Sequence, residues 1–400
     1  MAEKKKLLFV YEELNTGGST TALVGLLQAL DYAKYSVDLL CYRCPDPKAL
    51  AALGIPKTVN ILDGAAKYGK STFSKVIKAL HLSLSPSFYR AMSARRKGKS
   101  KYVVQQHMAY ARVRLSKNLK SLSHYDAVIG YIEGWSNAYA LSDKISADKR
   151  IVFIHLDYPA SGLDSRIDTK AFARADAIVS VSDSCKDALI SAFPQYESKA
   201  FTVRNVLYAE KVRALSEQKA SDRNCVKYDF ITVCRPDIYV KGLDRLAEAA
   251  ARLKTDGFSF RWGLVGVPDD HTAFSDIIEK HGISDCVFPL GNKENPYPYF
   301  KLADWLVVTS RFEACPMVVT EAQMLALPCI VTHYASAAEQ VSDGRNGLIT
   351  ENSTDGIYRA LRSVLEDRAI RAQFTEELSS TAFSDGQTEA EELYRIIDGR

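Results

Sequence analysis

The sequence predicts an α/β protein built from two doubly wound parallel-sheet domains. Three observations carry this. Apolar runs of strand length alternate with segments of helical period through both halves. Several of those runs end in polar loops, as strand carboxyl ends do when they form a ligand site. And 400 residues with 47% hydrophobic content give roughly two to three domains' worth of globular chain with ample core.

In the first half, residues 7–11 read as a strand. A turn follows, containing Gly17 and Gly18, and then a helix over 21–30. This is neither a Walker A loop nor a dinucleotide fingerprint. Paired glycines let a backbone approach a ligand closely and can adopt positive φ. Residues 36–42 and 58–62 read as further strands.

The composition then shifts. Residues 67–120 hold fourteen Lys and Arg and no acid, so the rest of the chain is net −10 against an overall +4. Phe73, Val76, Ile77, Leu80, Leu82, Leu84, Phe88, Tyr89 and Met92 interleave at helical spacing. The run 95–101 makes a basic loop before a helix expected over 102–119. A basic amphipathic segment reads as a surface for anionic lipid, each lysine or arginine adding roughly 1 kcal/mol. A solvated helical hairpin and a nucleic-acid patch are the other readings, the last without a recognised fold to support it.

Residues 126–132 form a strand leading to Glu133 and Trp135, and 150–154 one leading to His155 and Asp157. Successive polar strand ends suit the rim of a site, and Glu133, Trp135 and Asp157 are candidates on that rim. Residues 174–182 read as a helix end, a strand and a turn, and a helix over 184–192 follows in this half. Eight cysteines fall mostly in or beside apolar runs, as core residues of a reducing compartment do. Cys41 and Cys44 make a lone Cys-x-x-Cys without a second pair. The amino-terminal apolar run is too short for a signal peptide, and no stretch has the length of a membrane span.

Residues 216–224 read as a connector. A strand over 228–234 then leads to Arg235 and, six residues on, Lys241-Gly242 before a helix over 243–253. Two cations at a strand's carboxyl end suit a diphosphate. Alternation continues through strands 260–266 and 285–290 to the stretch that organises this half. There, apolar runs 305–309 and 329–332 flank Arg-Phe-Glu-Ala-Cys-Pro-Met-Val-Val-Thr-Glu (311–321). A helix is expected over 317–327, with Pro316 in its first turn and Pro328 closing it. Its amino end has free N–H groups suited to phosphate, and Glu313 and Glu321 stand on either side to take sugar hydroxyls.

Glu313 and Glu321, with Cys-Pro-Met-Val-Val after the first and Glu-Ala-Gln-Met-Leu at the second, resemble the Glu-x7-Glu signature of retaining glycosyltransferases of family four, the glycosyl transferases group 1. The resemblance spans nearly the whole chain, strongly over 228–348 and loosely before 120. It implies the GT-B fold: two Rossmann-like domains facing a central cleft. The expected division is 1–206 on the acceptor side, carrying the basic segment 67–120, then 207–380 for the nucleotide sugar. Residues 381–400 supply a helix crossing back to the first domain.

By the same resemblance, Glu313, Arg235, Lys241 and His155 are the catalytic candidates. Gly17, Gly18, Asn292, Lys293, Cys315, Pro316, Met317, Val318 and Glu321 are the donor-binding ones. Arg235 and Lys241 would contact the leaving diphosphate, and Asn292 and Lys293 the base. The chain departs from the family after Asn205 and at His333-Tyr-Ala-Ser, where relatives carry glycine. No Asp-x-Asp lies between strand and loop, so no metal and no cofactor is expected; the nucleotide sugar is a substrate.

The function expected is retaining transfer from a nucleoside diphosphate sugar, uridine diphosphate foremost, to a glycan or lipid-linked acceptor in cell-envelope polysaccharide or glycolipid synthesis. The site of action would be the cytoplasmic face of the membrane, with surface contact through 67–120 and no nucleic acid. The alternatives are a GT-B epimerase or hydrolase of sugar nucleotides and a non-catalytic sugar-nucleotide-binding subunit.

Overall fold

The computed structural model describes residues 3–15, 17–43, 50, 53–62, 64, 72–121, 123–220, 226–268 and 273–399. Thr16, Cys44, Cys225 and the first residues of the basic segment, 67–71, lie outside them. The chain divides into two compact units, Met1–Val206 with Gly386–Arg400, and Leu207–Asp385.

Among the described residues the first unit has a seven-stranded parallel sheet. Its strands are β1 (Lys5–Tyr11), β2 (Tyr35–Cys41), β3 (Asn60–Leu62), β4 (His124–Gly130), β5 (Ser146–Ile154), β6 (Ala177–Ser180) and β7 (Ala200–Thr202). The spatial order is β3-β2-β1-β4-β5-β6-β7. Leu7, Leu8, Phe9 and Val10 are wholly buried, as a parallel strand covered on both faces requires. The helix Gln387–Asp398 belongs to this unit: Tyr394 stacks on Tyr35 at 4.6 Å, and Lys5 pairs with Asp398 at 2.6 Å.

The basic segment folds as three helices, Thr72–Ser83, Pro86–Arg96 and Lys101–Val113. Pro86 stands in the first turn of the second, where its missing N–H is harmless. The third is shorter than its apolar spacing suggests. Its last turn tightens through Arg114 N–H to Ala111 O and Leu115 N–H to Arg112 O. The chain then runs Ser116 beneath Trp135, whose indole N–H donates to Ser116 Oγ at 2.9 Å. This helix is pinned to the helix Ser165–Phe172 by a buried network. The Asp168 carboxylate accepts from Gln106 Nε2 at 2.6 Å and from the hydroxyls of Tyr110 and Tyr158. Burial nonetheless pushes the Asp168 pKa up, so the network is a costly group held by its partners.

The second unit has a six-stranded parallel sheet among the described residues: β8 (Tyr228–Val233), β9 (Trp262–Val265), β10 (Val287–Gly291), β11 (Ala303–Val308), β12 (Cys329–Thr332) and β13 (Gly347–Thr350). The order is β10-β9-β8-β11-β12-β13. Phe230, Trp262 and Trp305 fill one face against the helices Leu243–Thr255 and Thr354–Glu366. In both units the chain winds outward, then returns to lay a strand beside the one it began with. The reversal falls between β1 and β4 in the first unit and between β8 and β11 in the second. Loops leaving the carboxyl ends of such strand pairs diverge and open a crevice.

Candidate active site

In the second unit the two loops at that reversal carry Arg235, Lys241 and Glu313. The β8 loop ends at Gly242, whose φ is +65°. A Cβ there would stand 2.0 Å from Thr309 O, so only glycine lets the loops close on each other. Thr309 Oγ1 donates to Lys241 O at 2.8 Å, and Arg311 N–H to Val240 O at 2.9 Å. Arg311 also forks onto Asp244, at 2.8 and 2.6 Å. These contacts fix the backbone on which the charged side chains stand.

Lys241 Nζ donates to Glu313 Oε1 at 2.6 Å, with the two side chains 18% and 13% exposed. Ser310 Oγ donates to the same oxygen at 2.7 Å. Glu313 Oε2 has no hydrogen-bond partner among the described residues. Arg235 is exposed, and its side chain makes no ion pair among the described residues. Cys234, beneath them, reports the cluster: burial pushes its thiol up to about 12, Lys241 and Arg235 pull it down, and Glu313 and Asp237 push it up. The two cations are therefore not an unopposed pair, as the sequence implied. With Glu313 they form a triad of net charge +1.

The helix after Glu313 is Met317–Met324, and Pro316 is its cap rather than a first-turn residue. It ends before the expected Leu327 because Ala326 takes a positive φ of 56°. Leu327 N–H then reaches Ala322 O at 3.0 Å and Ala326 N–H reaches Gln323 O at 2.9 Å, a Schellman end with alanine in glycine's place. The amino end is braced by a residue that sequence reasoning missed. Gln340 Nε2 donates to Pro316 O at 3.1 Å and to Thr320 Oγ1 at 3.2 Å, while Tyr334 OH donates to Gln340 Oε1 at 3.2 Å. Burial raises the Tyr334 pKa, and the charge of Glu313 adds to it.

Glu321, within this helix, accepts from Tyr297 OH at 3.1 Å. Burial raises its pKa to about 7 and the Tyr297 hydrogen bond lowers it only in part. It is thus not the fully ionised carboxylate that its residue type suggests. Tyr297 lies 24 residues away, without a local signal to predict the contact. Ser310, three residues before Glu313, was the one partner that spacing could have revealed. Asn292 is exposed after β10, and Lys293 Nζ lies 5.4 Å from the Tyr299 ring.

In the first unit, Gly17 is extended, with φ −165°, and Gly18 opens the helix Gly18–Ala29. Neither glycine takes a positive φ, and the helix starts three residues earlier than its apolar spacing suggested. Its first turn has no side-chain cap. His155 N–H donates to Glu133 Oε2 at 3.0 Å. The His155 ring packs 4.9 Å from Tyr131 with Nε2 buried and without a partner among the described residues. Burial lowers its pKa to about 4, so the ring is neutral at physiological pH. Trp135 is wholly buried against Tyr42 and Tyr139, which removes it from the rim candidates. Asp157 Oδ1 accepts from Ala160 N–H at 3.2 Å and serves as a turn cap.

Comparison with known proteins agrees with this geometry. Residues 216–380 match the family described as glycosyl transferases group 1. EpsF of Bacillus subtilis, a candidate glycosyltransferase by name, is 23% identical over 364 residues, covering 88% of this chain and 84% of that protein. D-inositol 3-phosphate glycosyltransferase 1 of Catenulispora acidiphila is 24% identical over 251 residues, 58% of this chain and 60% of that one. HepE of Anabaena, solved with UDP and glucose, superposes with a TM-score of 0.69 at 16% identity, covering 99% of this chain and 100% of that chain. The second unit is a glycosyl transferases group 1 domain. The two parallel-sheet α/β units are those of the GT-B fold.

Proposed function

We propose that this enzyme transfers a sugar from a uridine diphosphate sugar to a glycan or lipid-linked acceptor with retention of anomeric configuration, in the synthesis of a cell-envelope glycan or glycolipid. The observation that carries the reading is the Lys241–Glu313 pair at the strand reversal of the second unit, with Arg235 on the same loop. The solved HepE complex with UDP-glucose supports the choice of nucleotide.

Breaking the bond from the anomeric carbon to the diphosphate puts negative charge on the leaving group. Arg235 and Lys241 stabilise that charge, Arg through forked hydrogen bonds and Lys through donors not engaged by Glu313. The N–H groups of Met317 and Val318, presented past Cys315 and Pro316, bind the sugar or diphosphate at a helix amino end. Glu313 orients a donor-sugar hydroxyl through Oε2, and Glu321 with Tyr297 takes the ribose. Asn292 and Lys293 take the base. In the first unit, Gly17, Gly18 and the neutral His155 are assigned to the donor's phosphate and sugar.

The acceptor hydroxyl then attacks on the face that the diphosphate leaves, and the diphosphate takes its proton. No step is assigned to a metal. The acceptor belongs to the unit 1–206, and the enzyme works at the cytoplasmic face of the membrane.

The test is a panel of sugar nucleotides. A uridine diphosphate sugar should raise the melting temperature, and proton NMR of the product should show the donor's anomeric configuration. Chelation with EDTA should leave turnover unchanged. Stabilisation by other nucleotide sugars alone, an inverted product, or loss of turnover restored by magnesium would each overturn the corresponding part.

A further inference from the structure

The helices Thr72–Ser83 and Pro86–Arg96 display what a solvated hairpin does not need. Among the described residues eight large hydrophobic side chains are exposed, and five of them are Val76, Leu80, Leu84, Tyr89 and Met92. Val76, Leu80 and Leu84, at 66%, 62% and 61% exposure, follow one another at four-residue spacing and so line one helical face and its continuation. Scattered exposed leucines are ordinary, but a contiguous apolar stripe marks an interaction surface.

The segment that carries the stripe is cationic. Arg95, Arg96, Lys97, Lys99 and Lys101 are exposed in the following turn, and no acid occurs anywhere in 67–120. Beside Leu84 a cavity of about 300 Å³ is lined by His81, Arg114 and Lys144. Arg114 Nη1 donates to Leu84 O at 2.5 Å and Lys144 Nζ to Ser116 O at 2.7 Å, which holds both bases at the cavity wall. The cavity thus presents fixed positive charge next to an apolar ridge.

We infer that this face docks onto an anionic phospholipid surface, with Val76, Leu80 and Leu84 entering the acyl boundary and the His81–Arg114–Lys144 cavity taking a lipid phosphate. Charge complementarity selects this occupant: a segment of fourteen bases and no acid would repel a second copy of itself and attracts an anionic leaflet. The buried Asp168 network keeps the helix Lys101–Val113, which follows the hairpin, fixed to the helix Ser165–Phe172. The inference deepens the reading of an acceptor at a membrane and rests on that reading only for its purpose, since docking is measurable without donor or acceptor.

The experiment is co-sedimentation of the full chain with phosphatidylcholine vesicles and with phosphatidylcholine–phosphatidylglycerol vesicles. Binding is expected to the mixed vesicles alone, and to weaken with added salt. The exposed-face variant Val76→Ser/Leu80→Ser/Leu84→Ser should bind at least about tenfold more weakly. The cavity variant His81→Gln/Arg114→Gln should bind on the order of tenfold more weakly. Both should keep the parent's melting temperature and its stabilisation by the donor nucleotide. Equal sedimentation with neutral vesicles, or variants that bind like the parent, would overturn the assignment. So would displacement by inorganic phosphate at matched ionic strength, which would indicate a free-anion site, or equally tight binding of an RNA oligonucleotide. Loss of donor stabilisation with docking retained would count against the proposed function and leave this surface standing.

Discussion

Glu313 Oε1 takes hydrogen bonds from Lys241 Nζ at 2.6 Å and Ser310 Oγ at 2.7 Å, so one carboxylate oxygen ties together the two loops that leave the strand reversal. The pair holds both side chains in a semi-enclosed position, where a charge is worth more than in bulk water. It also sets Glu313 Oε2 free of structural duty among the described residues.

Glu313→Gln keeps the shape of the side chain and removes its charge. Turnover should fall by about 10²–10³ while donor-induced thermal stabilisation persists. Lys241→Ala should lower turnover by a similar factor. The double variant should then be little worse than either single one, because the residues act as a unit. Steady-state kinetics of the three proteins decides it: fully multiplicative losses would mean that the ion pair is incidental.

Glu321 gives a stability signature of defined sign. Its folded pKa of about 7 lies above the ordinary value of 4.5, so the folded state holds a proton that the unfolded chain releases. Its contribution to stability is therefore full below about 4.5 and is lost as pH rises to about 7. Glu321→Gln, always neutral, should be more stable than the parent above that window, by on the order of 1–3 kcal/mol. Denaturant titrations of both proteins across the window measure it, and a constant difference would refute the burial argument.

His155 should show the opposite slope. Its folded pKa, about 4, is depressed from 6.5, so its contribution is present above 6.5 and lost as pH falls through 4. His155→Gln should flatten the acid limb of stability by on the order of 2–3 kcal/mol. An NMR titration of the ring still neutral at pH 5 is the direct check.

Gly242→Ala tests the closure of the two loops. A Cβ would meet Thr309 O at 2.0 Å in a left-handed conformation, so the loss should exceed about 2 kcal/mol. Gly257→Ala is the control, since φ is +85° there but nothing lies within 4 Å, and should cost only about 1 kcal/mol. Chemical denaturation separates the steric part from the conformational one.

The alternation of strand and helix was legible because it rests on local patterns, and β8, β11 and β12 lie where their apolar runs place them. Loop chemistry was legible for the same reason: Arg235, Lys241 and Glu313 each follow an apolar run. Helix ends were not. Ala326 closes its helix in a conformation that alanine rarely takes, so no residue type announced the stop. Backbone conformation at the glycine pair was not legible either: Gly17 is extended and needs no glycine for its φ. Trp135 stood beside polar residues in the chain, but its burial depends on Tyr42 as well as on Tyr139 one helical turn on, and no spacing around Trp135 places Tyr42 there.

By itself, then, the amino-acid order determined which segments become strands and which charged residues follow them, while the place of the reversal in each sheet came from the assembled fold. Periodicity and loop composition are written within a few neighbouring positions. Tertiary structure alone decided that Lys241 spends a donor on an acid 72 residues away, that Glu321 is held near neutrality, and that Leu80 and Leu84 face outward. Those outcomes depend on what surrounds a side chain in space, and burial and pairing are properties of the assembled fold.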